Sequence, residues 1–299
     1  MSKGWEARRP AFMASRETAD GAYAVLIGAP MDWTVSFRPG SRFGPAAIRA
    51  VSDGIEEYSV YQERSLEEIA FYDGGDLVLP FGNAKASLEI IDAAATDLWA
   101  AGHFPFFLGG EHLITLGVLR AATRRYPELA VLHLDAHADL RPGYMGEPES
   151  HASVMRRALE ECPGLTLYQF GIRSGTAEEF ALAREKTRLY PFEVVEPLYG
   201  VCAELGKRPV YLTLDIDVVD PAFAPGTGTP EPGGITSREL LDALHVLKGV
   251  NLVGCDLVEV SPPYDQSSRT AVLAAEAVRE ILLQVSPGPS KKKKATGAA

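Results

Sequence analysis

Short apolar runs alternate along the chain with stretches whose apolar positions recur at helical spacing. The runs at 22–27, 69–72, 104–108, 130–135, 165–171, 187–190, 210–215 and 251–257 are the expected strands. Several are apolar at nearly every position, the pattern of strands covered on both faces. Between them, 85–100 carries Leu88, Ile91 and Ala95 near one helical face, and 113–126 begins directly after Gly109 and Gly110. The segment 176–186 is rich in Ala and Glu. The segment 237–247 opens on Thr236 or Ser237 as a cap, with Glu239 nearby, and 267–283 closes the pattern. Alternation of this kind predicts an α/β fold, a parallel sheet with helices on both faces. The Gly/Pro-rich stretches 38–45 and 225–234 read as ordered loops beside a site.

Parallel sheets hold their ligands beyond the carboxyl ends of the strands. Polar residues fall at those ends here. VLHLDAHADL ends in Asp135, His137 and Asp139, and YLTLDIDVVD ends in Asp215 and Asp217. Residues two apart on an extended backbone share one face. A further imidazole, His112, follows the Gly-Gly turn of FFLGGEH. Carboxylates bunched this closely repel one another unless cations neutralise them. Four Asp and two neutral His carry a formal charge that two divalent ions balance. Such ions lower the pKa of a water strongly and so supply a nucleophile. The donors are oxygen-rich with two imidazoles and no thiolate, which favours manganese over a structural zinc site; nickel and iron fit the same donors. A lone DxD would read as loop solvation, but two such clusters plus GGEH do not. His133 shares the parity of Asp135 but lies further back, and reads as a residue orienting a ligand by hydrogen bond. His103 and His245 receive no role.

Composition narrows the function classes. Of 299 residues, 46% are hydrophobic and 23% charged, which is globular. No apolar run is long enough for a bilayer, and MSKGWEARRP has no apolar stretch behind its basic residues, so a cytoplasmic protein is expected. The net charge of −11 disfavours nucleic acid as a partner. The exception is Lys291–Lys294, in a tail over 286–299 expected to be disordered and solvated, or else an electrostatic tether. Cys162, Cys202 and Cys255 are odd in number and widely spaced, against a disulfide framework.

GGEH, LDAHADL, SHASVMRRA, TLDIDVVDPAFAPGTGTPEPGG and DLVEVSPPYD together resemble the ureohydrolase family, which includes arginase and agmatinase. The likeness covers nearly the whole chain, and APGTGTPEPGG and VEVSPPYD look most like the agmatinase branch. The resemblance implies a single domain over 20–285, a three-layer α/β/α sandwich with an eight-stranded parallel sheet, and two manganese ions per chain. By it His112, Asp135, Asp139 and Asp215 hold one ion, and His137, Asp135, Asp215 and Asp217 the other. His151, in SHAS, matches a histidine that shuttles protons at the mouth of the site. Glu259, in VEVSP, matches the glutamate that pairs with a guanidinium. With Asp139 these form the expected catalytic group. Glu111 stands where many agmatinases have Asp, and Ala152 where Gly is frequent. A homo-oligomer, trimer or hexamer, is likewise implied.

The implied chemistry is cleavage of a guanidino compound to urea and an amine. Glu259 would fix the cation by charge-assisted hydrogen bonds, and His151, with a pKa near neutral, would protonate the leaving amine. The loop DLRPGYMGEPESH lacks the Asn/Ser-rich segment of arginases, and its Glu147 and Glu149 suit an amine end. Agmatine, giving putrescine, is therefore the leading substrate. Arg141 points toward guanidino acids, unless it forms a salt bridge to Glu147 or Glu149. The rivals are a catalytically silent relative, which intact donors argue against, and a single-zinc deacetylase.

Overall fold

The computed structural model describes residues 10–287. In chain order its strands are β1 (Ala24–Ala29), β2 (Tyr58–Ser59), β3 (Arg64–Ser65), β4 (Phe71–Asp76), β5 (Phe104–Gly109), β6 (Ala130–Leu134), β7 (Thr166–Phe170), β8 (Arg188–Tyr190), β9 (Val210–Asp215) and β10 (Leu252–Val258). β2 and β3 form a small antiparallel hairpin. The other eight make one parallel sheet in the order β4-β1-β5-β10-β9-β6-β7-β8. All eight expected strands are present. The largest departure is β4, which continues through Asp73, Gly74 and Gly75 to Asp76. It is an edge strand, so polar and glycine residues are tolerated there.

The helices are α1 (Gly44–Ser52), α2 (Ala84–Ala100), α3 (Ile114–Arg125), α4 (Val154–Glu161), α5 (Ala177–Lys186), α6 (Val195–Leu205), α7 (Ser237–Val246) and α8 (Arg269–Val285). Three of them, α1, α4 and α6, lie outside the helical stretches expected from periodicity. α1 grows out of the Gly/Pro segment because Pro45 sits in its first turn, where a missing N–H costs nothing. Pro197 does the same in α6. α4 has only eight residues, too few for a period to stand out. The expected cap of α7 is a full capping box: Thr236 Oγ1 accepts from Glu239 N, and the Glu239 carboxylate accepts from Thr236 N.

α1, α6, α7 and α8 cover one face of the sheet, where Ile48, Leu198, Leu244 and Leu282 pack on Leu26, Phe106, Leu132 and Leu212. α2, α3, α4 and α5 cover the other, where Leu88, Leu116, Met155 and Ala183 meet Phe107, Val131 and Tyr211. Phe106 and Phe107 are neighbours in β5 yet belong to opposite cores, as the period of two requires. This is the three-layer α/β/α sandwich. No helix among the described residues is long and apolar enough to cross a membrane. Of the expected tail, residues 288–299, lysines included, lie outside the described residues.

Candidate active site

The four central strands bring their carboxyl ends to one height. β6 and β9 pair with Leu134 opposite Leu214, so Asp135 and Asp215 emerge side by side. β10 pairs with β9 at Val258 and Asp215, and with β5 at Leu257 and Leu108. Glu259 therefore leaves β10 beside the turn that follows β5. That turn needs glycine: a Cβ on Gly110 would lie 1.9 Å from the Met31 carbonyl oxygen. Glu259 clamps the turn twice, its N–H donating to Gly110 O at 2.8 Å and its Oε1 accepting from His112 N at 2.8 Å.

All six expected donors meet there. His112 Nδ1 stands 3.0 Å from Asp135 Oδ2, 3.2 Å from Asp215 Oδ2 and 3.3 Å from Asp139 Oδ2. His137 Nδ1 stands 3.0 Å from Asp217 Oδ2 and 3.6 Å from Asp135 Oδ1. His112 Nδ1 and Asp217 Oδ2 are both buried and make no hydrogen bond. Two lone-pair atoms are thus orphaned inside a cluster of acids, an arrangement that suits divalent cations. Donor atoms of Asp135, His137 and Asp217 lie within 4.8 Å of one another, as do those of His112, His133, Asp135 and Asp139. His133 belongs to the second group by distance, yet its Nε2 bonds Asp135 Oδ2 at 2.7 Å and its Nδ1 faces Gln169 at 3.1 Å. Both ring nitrogens are engaged, so it orients Asp135.

The electrostatics follow the crowding. Burial and the neighbouring carboxylates push Asp139 and Asp215 well above the usual carboxylate range. Asp135 goes the other way: burial raises it, but His133, His112 and His137 hold it well below. Asp139 and Glu259 also have left-handed backbones, with φ of 52° and 65°. Such residues cost roughly 1–3 kcal/mol each and cluster at working sites. The turn at Asp139 lets its carbonyl accept from Met155 N and Arg156 N, both at 3.1 Å, hooking the start of α4 to the acid cluster.

His151 opens the short turn that leads into α4. Its N–H donates to Thr34 Oγ1 at 3.0 Å, and its ring lies 3.4 Å from Thr34 Oγ1 through Nδ1 and 3.4 Å from Ser36 Oγ through Nε2. Burial lowers its pKa to about 4, which corrects the near-neutral value expected from sequence. The ring is therefore neutral near pH 7 and presents a lone pair. A cavity of about 180 Å³ lies between these groups, lined among others by Glu259, Asp139, Asp215, His137, His151 and Arg141.

The loop after Asp139 corrects a second expectation. Glu149 pairs with Arg120 at 2.7 Å, and Glu147 is exposed in a turn with Tyr144. Neither lines the cavity. Arg141 pairs instead with Glu179, at 3.6 Å, and lies 4.8 Å from the centre of the Tyr144 ring. Glu179 lines the cavity too, with its oxygens accepting from Leu140 N and Thr176 N.

A layer behind the donors escaped the sequence reading. His112 Nε2 meets Thr213 Oγ1 at 2.9 Å, and Thr213 donates to Asp256 Oδ1 at 2.7 Å. The other oxygen of Asp256 accepts from Tyr211 OH at 2.7 Å and Thr115 Oγ1 at 2.9 Å. A visible signal existed. Tyr211 and Thr213 share the parity of Asp215 in an otherwise apolar strand, and Asp256 interrupts the run in β10.

With this geometry in hand, comparison with known proteins adds the class. The sequence profile of the arginase family matches residues 22–284, and the chain belongs to that family. It is 53% identical over 275 residues to an agmatinase from Bacillus anthracis, covering 91% of this chain and 95% of that one. It is 38% identical over 287 residues to a guanidinobutyrase from Pseudomonas aeruginosa, covering 90% and 88%. Among solved structures it is similar to an agmatine ureohydrolase of Thermoplasma volcanium, with a TM-score of 0.85, 31% identity and coverage of 93% and 94%.

Proposed function

We propose that this chain hydrolyses agmatine to putrescine and urea. The carrying observation is that one small cavity joins a buried glutamate to His112, His137, Asp139 and Asp215, four of the six proposed cation donors, in a chain 53% identical to an agmatinase. His112, Asp135, Asp139 and Asp215 would hold one manganese ion, and His137, Asp135, Asp215 and Asp217 a second. When bound, such ions supply the charge that lowers the pKa of a water.

The remaining work falls to the chain. Glu259 is buried and committed to His112 N through Oε1, while Oε2 takes no hydrogen bond from the described residues. That oxygen is suited to grip a guanidinium by charge-assisted hydrogen bonds. The grip sets the guanidinium carbon over the carboxylate cluster. A water oxygen bonds to that carbon, and the bond from carbon to the alkyl-bearing nitrogen breaks. The leaving nitrogen needs a proton. His151 Nε2, neutral at rest, takes a proton from the attacking water and returns it there.

Arg141 is the observation favouring a second reading. A guanidinium at the cavity wall would suit the carboxylate of 4-guanidinobutyrate. Its pairing with Glu179 and stacking on Tyr144 support a positioned, already partnered side chain instead. Manganese-reconstituted protein should release urea from agmatine at least ~100-fold faster, by kcat/KM, than from arginine, because an unmatched buried carboxylate costs several kcal/mol. Faster release from 4-guanidinobutyrate than from agmatine would replace the first reading by the second. The homo-oligomer implied by the family resemblance, and the cytoplasmic location expected from the sequence, belong to the same proposal.

A further inference from the structure

We propose that Glu111 and Thr34 form a relay that positions His151, holding its Nδ1 as the N–H nitrogen and leaving Nε2 as the proton-accepting one. This deepens the role given to His151 above and rests on it.

Glu111 sits between Gly110 and His112, and its carboxylate bonds to the loop after β1. It is fully buried, and three donors converge on it: Trp33 N at 3.2 Å on Oε1, with Thr34 N and Thr34 Oγ1 at 2.8 Å on Oε2. No other segment supplies a donor to it among the described residues. Its partners therefore all lie in the loop after β1. Thr34 in turn reaches His151, so the relay joins three segments that are far apart in sequence.

A threonine hydroxyl has one hydrogen and two acceptor lone pairs. Backbone N–H groups of Trp33 and Thr34 already donate to the two Glu111 oxygens, which marks Glu111 as an acceptor, and Thr34 commits its hydrogen to it. Both lone pairs then face His151: one takes the backbone N–H at 3.0 Å, and the other lies 3.4 Å from Nδ1. With no hydrogen left on Thr34, only a protonated Nδ1 satisfies that contact. Neutral imidazole carries one proton, so Nε2 keeps its lone pair. Ser36 Oγ, 3.4 Å from Nε2, is free to donate to it. When Nε2 takes up a proton the ring becomes a cation. Its Nδ1–H bond to Thr34, backed by the Glu111 carboxylate, then strengthens. Glu111 and Thr34 touch no substrate in this scheme; they act through His151.

Thr34→Val removes the hydroxyl and keeps the shape, and Thr34→Ser restores the hydroxyl. Thr34→Val should lower kcat roughly tenfold or more, part of what a positioned proton carrier contributes. Thr34→Ser should recover it, and manganese content should stay unchanged. In a His151→Asn background, Thr34→Val should cost nothing further, because the relay has lost its target. An equal loss in both backgrounds, or normal kcat in Thr34→Val, overturns the proposal.

A second measurement is independent of turnover. In ¹⁵N-histidine-labelled protein loaded with magnesium, the signals that disappear in His151→Asn report the His151 tautomer. The relay requires Nδ1–H in the wild type. An Nε2–H wild type rejects it, even if Thr34→Val does not fold. Should the wild-type protein release no urea from agmatine, the functional reading falls, and the tautomer still decides the relay.

Discussion

His112 and Thr213 are joined through the imidazole Nε2 and the threonine hydroxyl, 2.9 Å apart. Because Thr213 gives its only hydrogen to Asp256, it can only accept from His112. In the neutral ring the proton of His112 is thereby fixed on Nε2, which leaves the Nδ1 lone pair available to a cation among three carboxylates. Thr213→Val removes the acceptor and frees the tautomer. Manganese affinity, followed by equilibrium dialysis, should fall about 10- to 100-fold. Thr213→Ser should retain it. Unchanged affinity in the valine variant would remove the argument.

Asp135 and Asp215 are proposed to serve both cations. Asp135→Ala and Asp215→Ala should each abolish two-ion occupancy, whereas loss of a residue serving one ion need not. Elemental analysis finding two tightly bound manganese ions in either variant would refute the bridging roles.

Burial raises the Glu259 carboxyl to about 8, so its charge forms against a cationic partner; Glu259→Gln keeps the bond from His112 N to a side-chain oxygen but cannot take that charge. It should lower kcat/KM by ~100-fold or more, the loss of a buried charge-assisted contact. Equal kcat/KM in the variant and the wild type would show that the guanidinium is held elsewhere.

His151 provides a pH test. Burial sets its pKa at about 4 against an ordinary 6.5. A lowered histidine is neutral, and able to accept a proton, at any pH above the lowered value. The acid limb of kcat/KM that vanishes in His151→Asn should therefore lie nearer 4 than 6.5. The variant should lower kcat roughly 10- to 1,000-fold with manganese intact. Loss of manganese with normal turnover per bound pair would make His151 a ligand instead.

Glu280, fully buried in α8, ties the β2–β3 hairpin to the body. Its Oε2 accepts from Ser59 Oγ at 2.9 Å, Gln62 Nε2 at 2.8 Å and His245 Nε2 at 2.9 Å, while Oε1 meets Arg279 at 2.9 Å. Burial raises its pKa, but these hydrogen bonds and Arg279 bring it below the ordinary 4.5. A depressed carboxylate contributes stability above its unfolded pKa, and that contribution is lost as the pH falls through the folded value. Glu280→Gln should cost about 3 kcal/mol at neutral pH. The gap from wild type in urea midpoint should close on acidification. A gap that is constant with pH would place the effect in packing rather than charge.

Much of this was legible in the chain. Asp135, His137, Asp139, Asp215 and Asp217 declare themselves because polar residues at period two end apolar runs, and a parallel sheet gathers such ends. What stayed hidden depends on contacts between distant segments. Arg141 found Glu179, thirty-eight positions away, and no spacing rule links them. Glu111 reads in sequence as a harmless variant of Asp, yet its carboxylate organises Thr34 and, through it, His151. The pKa of His151 depends on how deeply one loop is covered, which local pattern does not encode. α1 and α6 were masked by prolines that a first turn accommodates.

The sheet order has a consequence for how the molecule comes into being. β4-β1-β5 and β9-β6-β7-β8 are two half-sheets, and β10, the last strand of the chain, lies between them. Nothing in the sheet joins the halves until residues 252–258 enter. During synthesis, His112 on one half and the aspartates on the other can each sit at the end of a formed strand and still not face one another. The acids already sit together on adjacent β6 and β9, and His112 meets them in the same step that closes the sheet. A chain stopped short of β10 would carry every cation donor, yet His112 would stay apart from the carboxylates and Glu259 would be missing.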